Sequence, residues 1–126
     1  MIYIVILKTL LIALMLFNQE PVTVETENVT EVAEETNMTY VGNFSCTAYT
    51  WTGNPCANGN YPVDGYSVAC NSLDFGTHIY IEGIGERVVE DRGPSSMPSA
   101  WLDIYMDSYD ACVQWGVQDR AVYIIE

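Results

Sequence analysis

Residues 75–93 read FGTHIYIEGIGERVVEDRG. Two short runs rich in β-branched and aromatic residues, THIYI and ERVVE, stand either side of a turn punctuated by Gly83 and Gly85, the outline of a β-hairpin. Outward from this hairpin the same texture continues. FSCTAYTW (44–51), YSVAC (66–70), LDIYM (102–106) and RAVYIIE (120–126) are further β-like runs. Between the first two lies GNPCANGNYPVDG, whose Gly, Asn, Pro and Asp content excludes regular structure. One segment has a different period. In DSYDACVQWG, residues 107–116, Ala111, Cys112 and Trp115 share a helical face, Asp107 or Ser108 serves as N-cap and Gly116 sits just past the end. Asp107 and Asp110 suit the helix N-terminus, whose dipole favours negative charge. The expected fold is therefore mainly β: six strands with one short helix before the last. An open sheet of so few residues would leave long unpaired edges, so a small closed barrel is expected.

The N-terminal third is different in kind. Residues 1–17 are almost wholly apolar apart from Lys8, and the run TLLIALMLF has the length of a signal-peptide core. No small-x-small cleavage site follows, so a cleaved signal peptide and a retained signal-anchor both fit. Either implies export, with membrane contact only through this segment. Residues 18–41 carry six glutamates and no base, and read as an acidic, flexible linker that holds the domain, residues 42–126, away from a membrane or wall.

Seventeen acidic residues against four basic ones give a formal net charge of −13. Such a chain repels phosphates and anionic headgroups, which excludes nucleic acid as a partner. Cys46, Cys56, Cys70 and Cys112 form no Cys-x-x-Cys pair and His78 is the single histidine, so no zinc site is expected. In an exported chain three disulfide pairings are open. Cys56, in the long loop, and Cys70, at a strand end, are the favoured pair, against the alternative of four reduced thiols. Cys112 and Trp115 are read as core residues of the helix, His78 as an exposed strand residue, and Trp51 and Tyr66 as either aromatic platforms for a ligand or lids over a thin core.

The chemistry-bearing residues lie around VVEDRGPSSMPSAWLDIYM, residues 88–106. In a period-two strand Asp103 shares its face with Trp101 and Tyr105, whereas Leu102 and Ile104 point to the core. An aspartate flanked by aromatics suits a sugar, whose C–H faces pack on such rings. Partial desolvation there raises a carboxyl's pKa, as a proton donor requires. An arginine next to Asp91, Arg92, is expected to hold that carboxylate ionised and leave Asp103 as the donor.

Taken in order, FSCTAYT, VAC, FGTHIYIEGIGERVVEDRG and LDIYMDSYDACVQWGVQDRAVYII resemble the 3D (three-aspartate) domain over roughly residues 44–125. That family, found in bacterial cell-wall lytic transglycosylases, implies a six-stranded double-psi β-barrel. It also implies cleavage of the glycosidic bond between N-acetylmuramic acid and N-acetylglucosamine with a 1,6-anhydro product. By that resemblance Asp91 is the family's second aspartate and Asp103 its third, the general acid and base. Asn71 stands where the first aspartate is usual, and Thr47 and Tyr49 match a TAY segment that lines the groove. The resemblance implies peptidoglycan strands as partner and a secreted or membrane-tethered location at the bacterial wall. Asn71, Arg92 and Pro94 depart from the family's pattern. Two other readings fit the sequence: an expansin-like wall module that binds polysaccharide without cutting it, and a protein-binding module that exchanges strands in a homodimer.

Overall fold

A computed structural model describes residues 35–126, so the apolar leader and most of the acidic linker lie outside the described residues. Six strands follow one another: β1 (Met38–Tyr49), β2 (Ser67–Ala69), β3 (His78–Ile81), β4 (Gly85–Asp91), β5 (Trp101–Tyr105) and β6 (Gln118–Ile125). Among the described residues a single helix, α1 (Tyr109–Trp115), precedes the last strand. The sheet closes on itself in the order β1-β5-β2-β4-β3-β6. The expected barrel with one short helix is the architecture found. Its pairs β1/β5 and β2/β4 are parallel, and the other four are antiparallel. Closure leaves no free edge for pairing with another chain.

The 75–93 hairpin is β3–β4, paired from His78↔Val88 to Ile81↔Gly85. Gly83 and Gly85 take φ of 76° and 104°, the left-handed conformation that a side chain resists. At Gly83 there is a steric reason too, since a Cβ would lie 2.7 Å from Arg120 Nη1. Helix α1 is capped by Ser108, whose hydroxyl accepts from the Ala111 N–H, and it ends at Gly116 with φ 64°. Its inner face packs Trp115 against the core, and the Trp115 indole N–H donates to the Cys46 carbonyl at 2.9 Å. No residue of α1 is fully buried, so Cys112 is a half-exposed thiol rather than the core residue expected. A helix of two turns resting on a barrel has too little apolar face to cover its own inward side chains.

The barrel interior is filled by side chains that alternate along the strands: Cys46 from β1, Val68 from β2, Ile79 and Ile81 from β3, Val89 from β4, Leu102 and Ile104 from β5 and Val122 from β6. Two irregularities matter. β1 begins at Met38, four residues into what reads as linker, because β6 supplies ladder partners as far as Met38↔Ile125. In β4 the register with β2 slips between Val89 and Asp91, so Glu90 is an extra, unpaired residue. Such a bulge breaks the inside–outside alternation, and Val88, Val89 and Glu90 are all buried in succession.

Candidate active site

Strand register aligns four residues across four neighbouring strands. Thr47 on β1 is opposite Asp103 on β5, Asp103 is opposite Ala69 on β2, and Ala69 is opposite Asp91 on β4. The neighbours Cys46, Val68, Leu102 and Ile104 face the core, so this row lies on the outer wall of the barrel. With strands about 4.8 Å apart, two strand spacings put the Asp91 and Asp103 backbones about 10 Å from each other. Ala69 between them is the smallest side chain in the row and is itself buried, at 3% exposure.

Asp103 is half-buried. The Trp101 indole N–H donates to Thr47 Oγ1 at 2.9 Å, and that hydroxyl donates in turn to Asp103 Oδ1 at 3.0 Å. Desolvation pushes the Asp103 carboxyl above its ordinary value; the Thr47 hydrogen bond opposes the rise and the nearby charge of Asp91 adds to it. The same-face grouping of Trp101, Asp103 and Tyr105 is observed, but the two aromatics do different things. Trp101 is half-exposed. Tyr105 is 5% exposed and packs edge-on against Tyr49, ring centroids 5.4 Å apart. It is therefore a buried support and not the ligand platform expected, because the neighbouring β1 ring covers it.

Asp91 is held by a separate set of donors. The Tyr49 hydroxyl donates to its Oδ2 at 2.9 Å, and the backbone N–H groups of Ala57 and Arg92 donate to its Oδ1, each at 2.9 Å. Burial, followed by the bond to Asp91, pushes the Tyr49 phenol well above its ordinary range, so it acts as a fixed donor. The guanidinium of Arg92 does not pair with the Asp91 carboxylate as expected. It lies over the Phe75 ring at 3.8 Å from the centroid and its Nη1 donates to the Cys70 carbonyl at 2.6 Å. Phe75 offers a flat face that a planar cation covers favourably, and the carboxylate is already engaged by shorter-reach donors.

Asn71 does not reach the carboxylates by any hydrogen bond. Its Oδ1 accepts from the Gly93 N–H at 2.9 Å and its Nδ2 donates to the Pro94 carbonyl at 2.8 Å. With Ser72, whose hydroxyl donates to the Ser99 carbonyl at 2.6 Å, it grips both ends of the 93–100 loop. Gly93 suits this grip because a Cβ there would run into the Met97 side chain.

Cys56 and Cys70 are free thiols, both buried, and so are Cys46 (buried) and Cys112 (half-exposed). No disulfide joins the expected pair, because the two sulfurs face different surroundings. Cys70 points into the barrel core and touches Ser72 Oγ. Cys56 sits beside Tyr49 and Asp91, where burial first and then the charges of Asp91 and Glu90 push its thiol up, against a hydrogen bond with Tyr49 that opposes the rise.

Sequence reasoning missed Glu90. It is 5% exposed, with Oε1 accepting from Asn60 Nδ2 at 2.8 Å and Oε2 from the buried Ser67 hydroxyl at 2.7 Å. Its own carbonyl accepts from the Asn58 N–H. The bulged Glu90–Asp91 pair thus ties down the 54–63 loop, with Asp91 taking Ala57 and Glu90 taking Asn58 and Asn60. A charged residue ending an apolar run was the available signal. Nothing in the sequence points to a bulge there.

Among the described residues no three His, Cys, Asp or Glu side chains are grouped so as to hold a metal ion. His78 is exposed and bonded to Glu86, Nδ1 to Oε1 2.8 Å. No protein-family model matches the chain, and no curated protein matches its sequence.

Proposed function

We propose that this protein is a lytic transglycosylase-like enzyme of the bacterial cell wall, with Asp103 as proton carrier. The observation that carries the reading is the state of Asp103: a half-buried carboxyl on the outer wall, raised by desolvation and by the field of Asp91, and oriented by the Trp101–Thr47 relay. A carboxyl so placed keeps its proton at higher pH than one in water, which general acid catalysis requires.

In this reading Asp103 protonates the oxygen that links the muramyl C1 to the next sugar, and the C1–O bond breaks through an oxocarbenium-like state. The resulting carboxylate then takes the proton of the muramyl C6 hydroxyl as that oxygen bonds to C1. This closes the 1,6-anhydro ring and restores the acid. One carboxyl suffices because the attacking hydroxyl belongs to the substrate and is already positioned. Asp91 supplies negative charge opposite the developing cation, held by Tyr49, Ala57 and the Arg92 backbone. Asn71 acts through the 93–100 loop, outside direct contact with the reacting atoms.

Mass spectrometry of murein incubated with the full-length protein tests this. Anhydro-muropeptides are expected from the parent and none from Asp103→Asn. Equal release by both proteins would remove Asp103 from the chemistry. Binding to murein without any product would favour the polysaccharide-binding module, and a concentration-dependent dimer that ignores murein would favour the strand-exchanging one.

A further inference from the structure

Two exposed aromatic rings stand together on the loop that the β4 bulge ties down. Trp51 is 50% exposed and Tyr61 70% exposed, and their centroids lie 6.0 Å apart with planes inclined by 33°. Rings this accessible contribute little to the barrel core, and a pair of them in contact on the surface is an apolar ledge open to a ligand. Its attachment is informative. Trp51 follows Tyr49 by two residues, and Tyr49 donates to Asp91. Tyr61 follows Asn60, which donates to Glu90. Each ring therefore lies within two residues of a side chain that grips one of the paired carboxylates of the β4 bulge, which ties the chain carrying the ledge to that bulge.

We propose that the Trp51–Tyr61 ledge is a sugar-binding subsite that receives an uncharged pyranose ring of a β-1,4-linked glycan strand leading away from Asp103. The C–H faces of a pyranose pack on indole and phenol rings, and the hydroxyls around its rim stay in water, which suits an open ledge better than a closed pocket. Charge narrows the ligand further. The carboxylates of Glu90 and Asp91 are bonded to the loop that carries Tyr61, and an anionic group is disfavoured near them where a neutral amino-sugar ring is not. The proposal rests on the glycan-cleaving reading of the Asp103 site and adds to it the side on which the strand extends.

The test is titration of full-length protein with chitohexaose, followed by intrinsic tryptophan fluorescence and calorimetry, in parallel with product analysis on murein. Chitohexaose is expected to shield the parent's indole emission from acrylamide. Trp51→Ala and Tyr61→Ala should each weaken binding, by up to about tenfold for a single stacked ring. Trp51→Phe should retain most of the affinity, and Tyr109→Ala, an exposed ring on α1, should leave it unchanged. Because both ledge rings are exposed, the alanine variants should unfold at the parent's temperature, which separates lost binding from lost fold. Unchanged chitohexaose binding in both alanine variants would overturn the subsite, even if Asp103-dependent cleavage persists. Weakened binding in both, from a parent that yields no anhydro product, would support the subsite and sink the cleavage reading.

Discussion

Thr47 and Asp103 are neighbours in the sheet, not in sequence, and their single hydrogen bond sets the direction of two predictions. The Thr47 hydroxyl favours the charged form of Asp103. Its removal in Thr47→Val should raise the Asp103 pKa further, and the falling limb of the pH–rate profile should move to higher pH. Thr47→Ser, which keeps the hydroxyl, should leave the limb in place. Thr47→Val should also cost about 1 kcal/mol of stability, because the Trp101 indole N–H loses its acceptor. Asp103 itself is a liability at neutral pH. Its folded pKa is raised above the ordinary 3.8, so the folded state binds the proton more tightly than the unfolded chain. Stability therefore falls as pH rises from that value through the raised one, and stays lower above it. Asp103→Asn should melt higher than the parent at pH 7 by calorimetry, and the gap should close at pH below 3.8. The place of Asp103 on β5 between Trp101 and Tyr105 was legible in the sequence; its hydrogen bond from the Thr47 hydroxyl was not, since the two sit on different strands.

At the scale of the element, the β4 bulge is the feature that distinguishes this barrel wall from a regular ladder. A regular β4 would place Glu90 and Asp91 on opposite faces, one of them toward the core. With Glu90 unpaired against β2, both carboxylates reach polar partners, and the loop after β1 is folded around them. Glu90→Ala should therefore destabilise the protein by about 3 kcal/mol in urea unfolding, because Ser67 and Asn60 lose a charged acceptor and the Ser67 hydroxyl is left buried. Glu90→Gln, which keeps one acceptor, should cost less. If both variants unfold at the parent's urea midpoint, the loop is held by its own backbone turns and the bulge has no such role. The hairpin was legible at this scale because glycines at positive φ have a local signature. The bulge was not, since it depends on the register that β2 imposes on β4.

Across the whole molecule, β1 is the strand that closes the barrel. It pairs with β5 in parallel from Ser45 to Tyr49 and with β6 in antiparallel from Met38 to Cys46. Closure also fixes the state of the thiols. Cys46, Cys56 and Cys70 are buried, Cys112 is half-exposed, and burial pushes the Cys46 thiol up to about 11. A thiol-specific reagent at neutral pH should therefore titrate one cysteine rapidly in the native protein, the one lost in Cys112→Ser, and all four once it is unfolded. Fewer than four in denaturant without reductant would mean that a disulfide forms after all. The expectation of a Cys56–Cys70 bridge came from counting thiols in an exported chain, and counting carries no information about which way a strand-end side chain turns.

By itself the sequence determined the type of the elements, the glycine turn of the β3–β4 hairpin, the Gly116 end of α1 and an N-cap at Asp107 or Ser108, and the inward and outward faces of β5. All of these follow from local sterics, capping and side-chain period. The tertiary structure alone decided that Asp103 meets Thr47 and Trp101, that Asp91 is held by Tyr49 and Ala57 and not by the Arg92 guanidinium, that Asn71 grips a loop, and that Tyr105 is covered. Those contacts cross parallel pairs and long loops, where partners are brought together by barrel closure, and hydrogen bonds formed across such distances leave no period in the sequence.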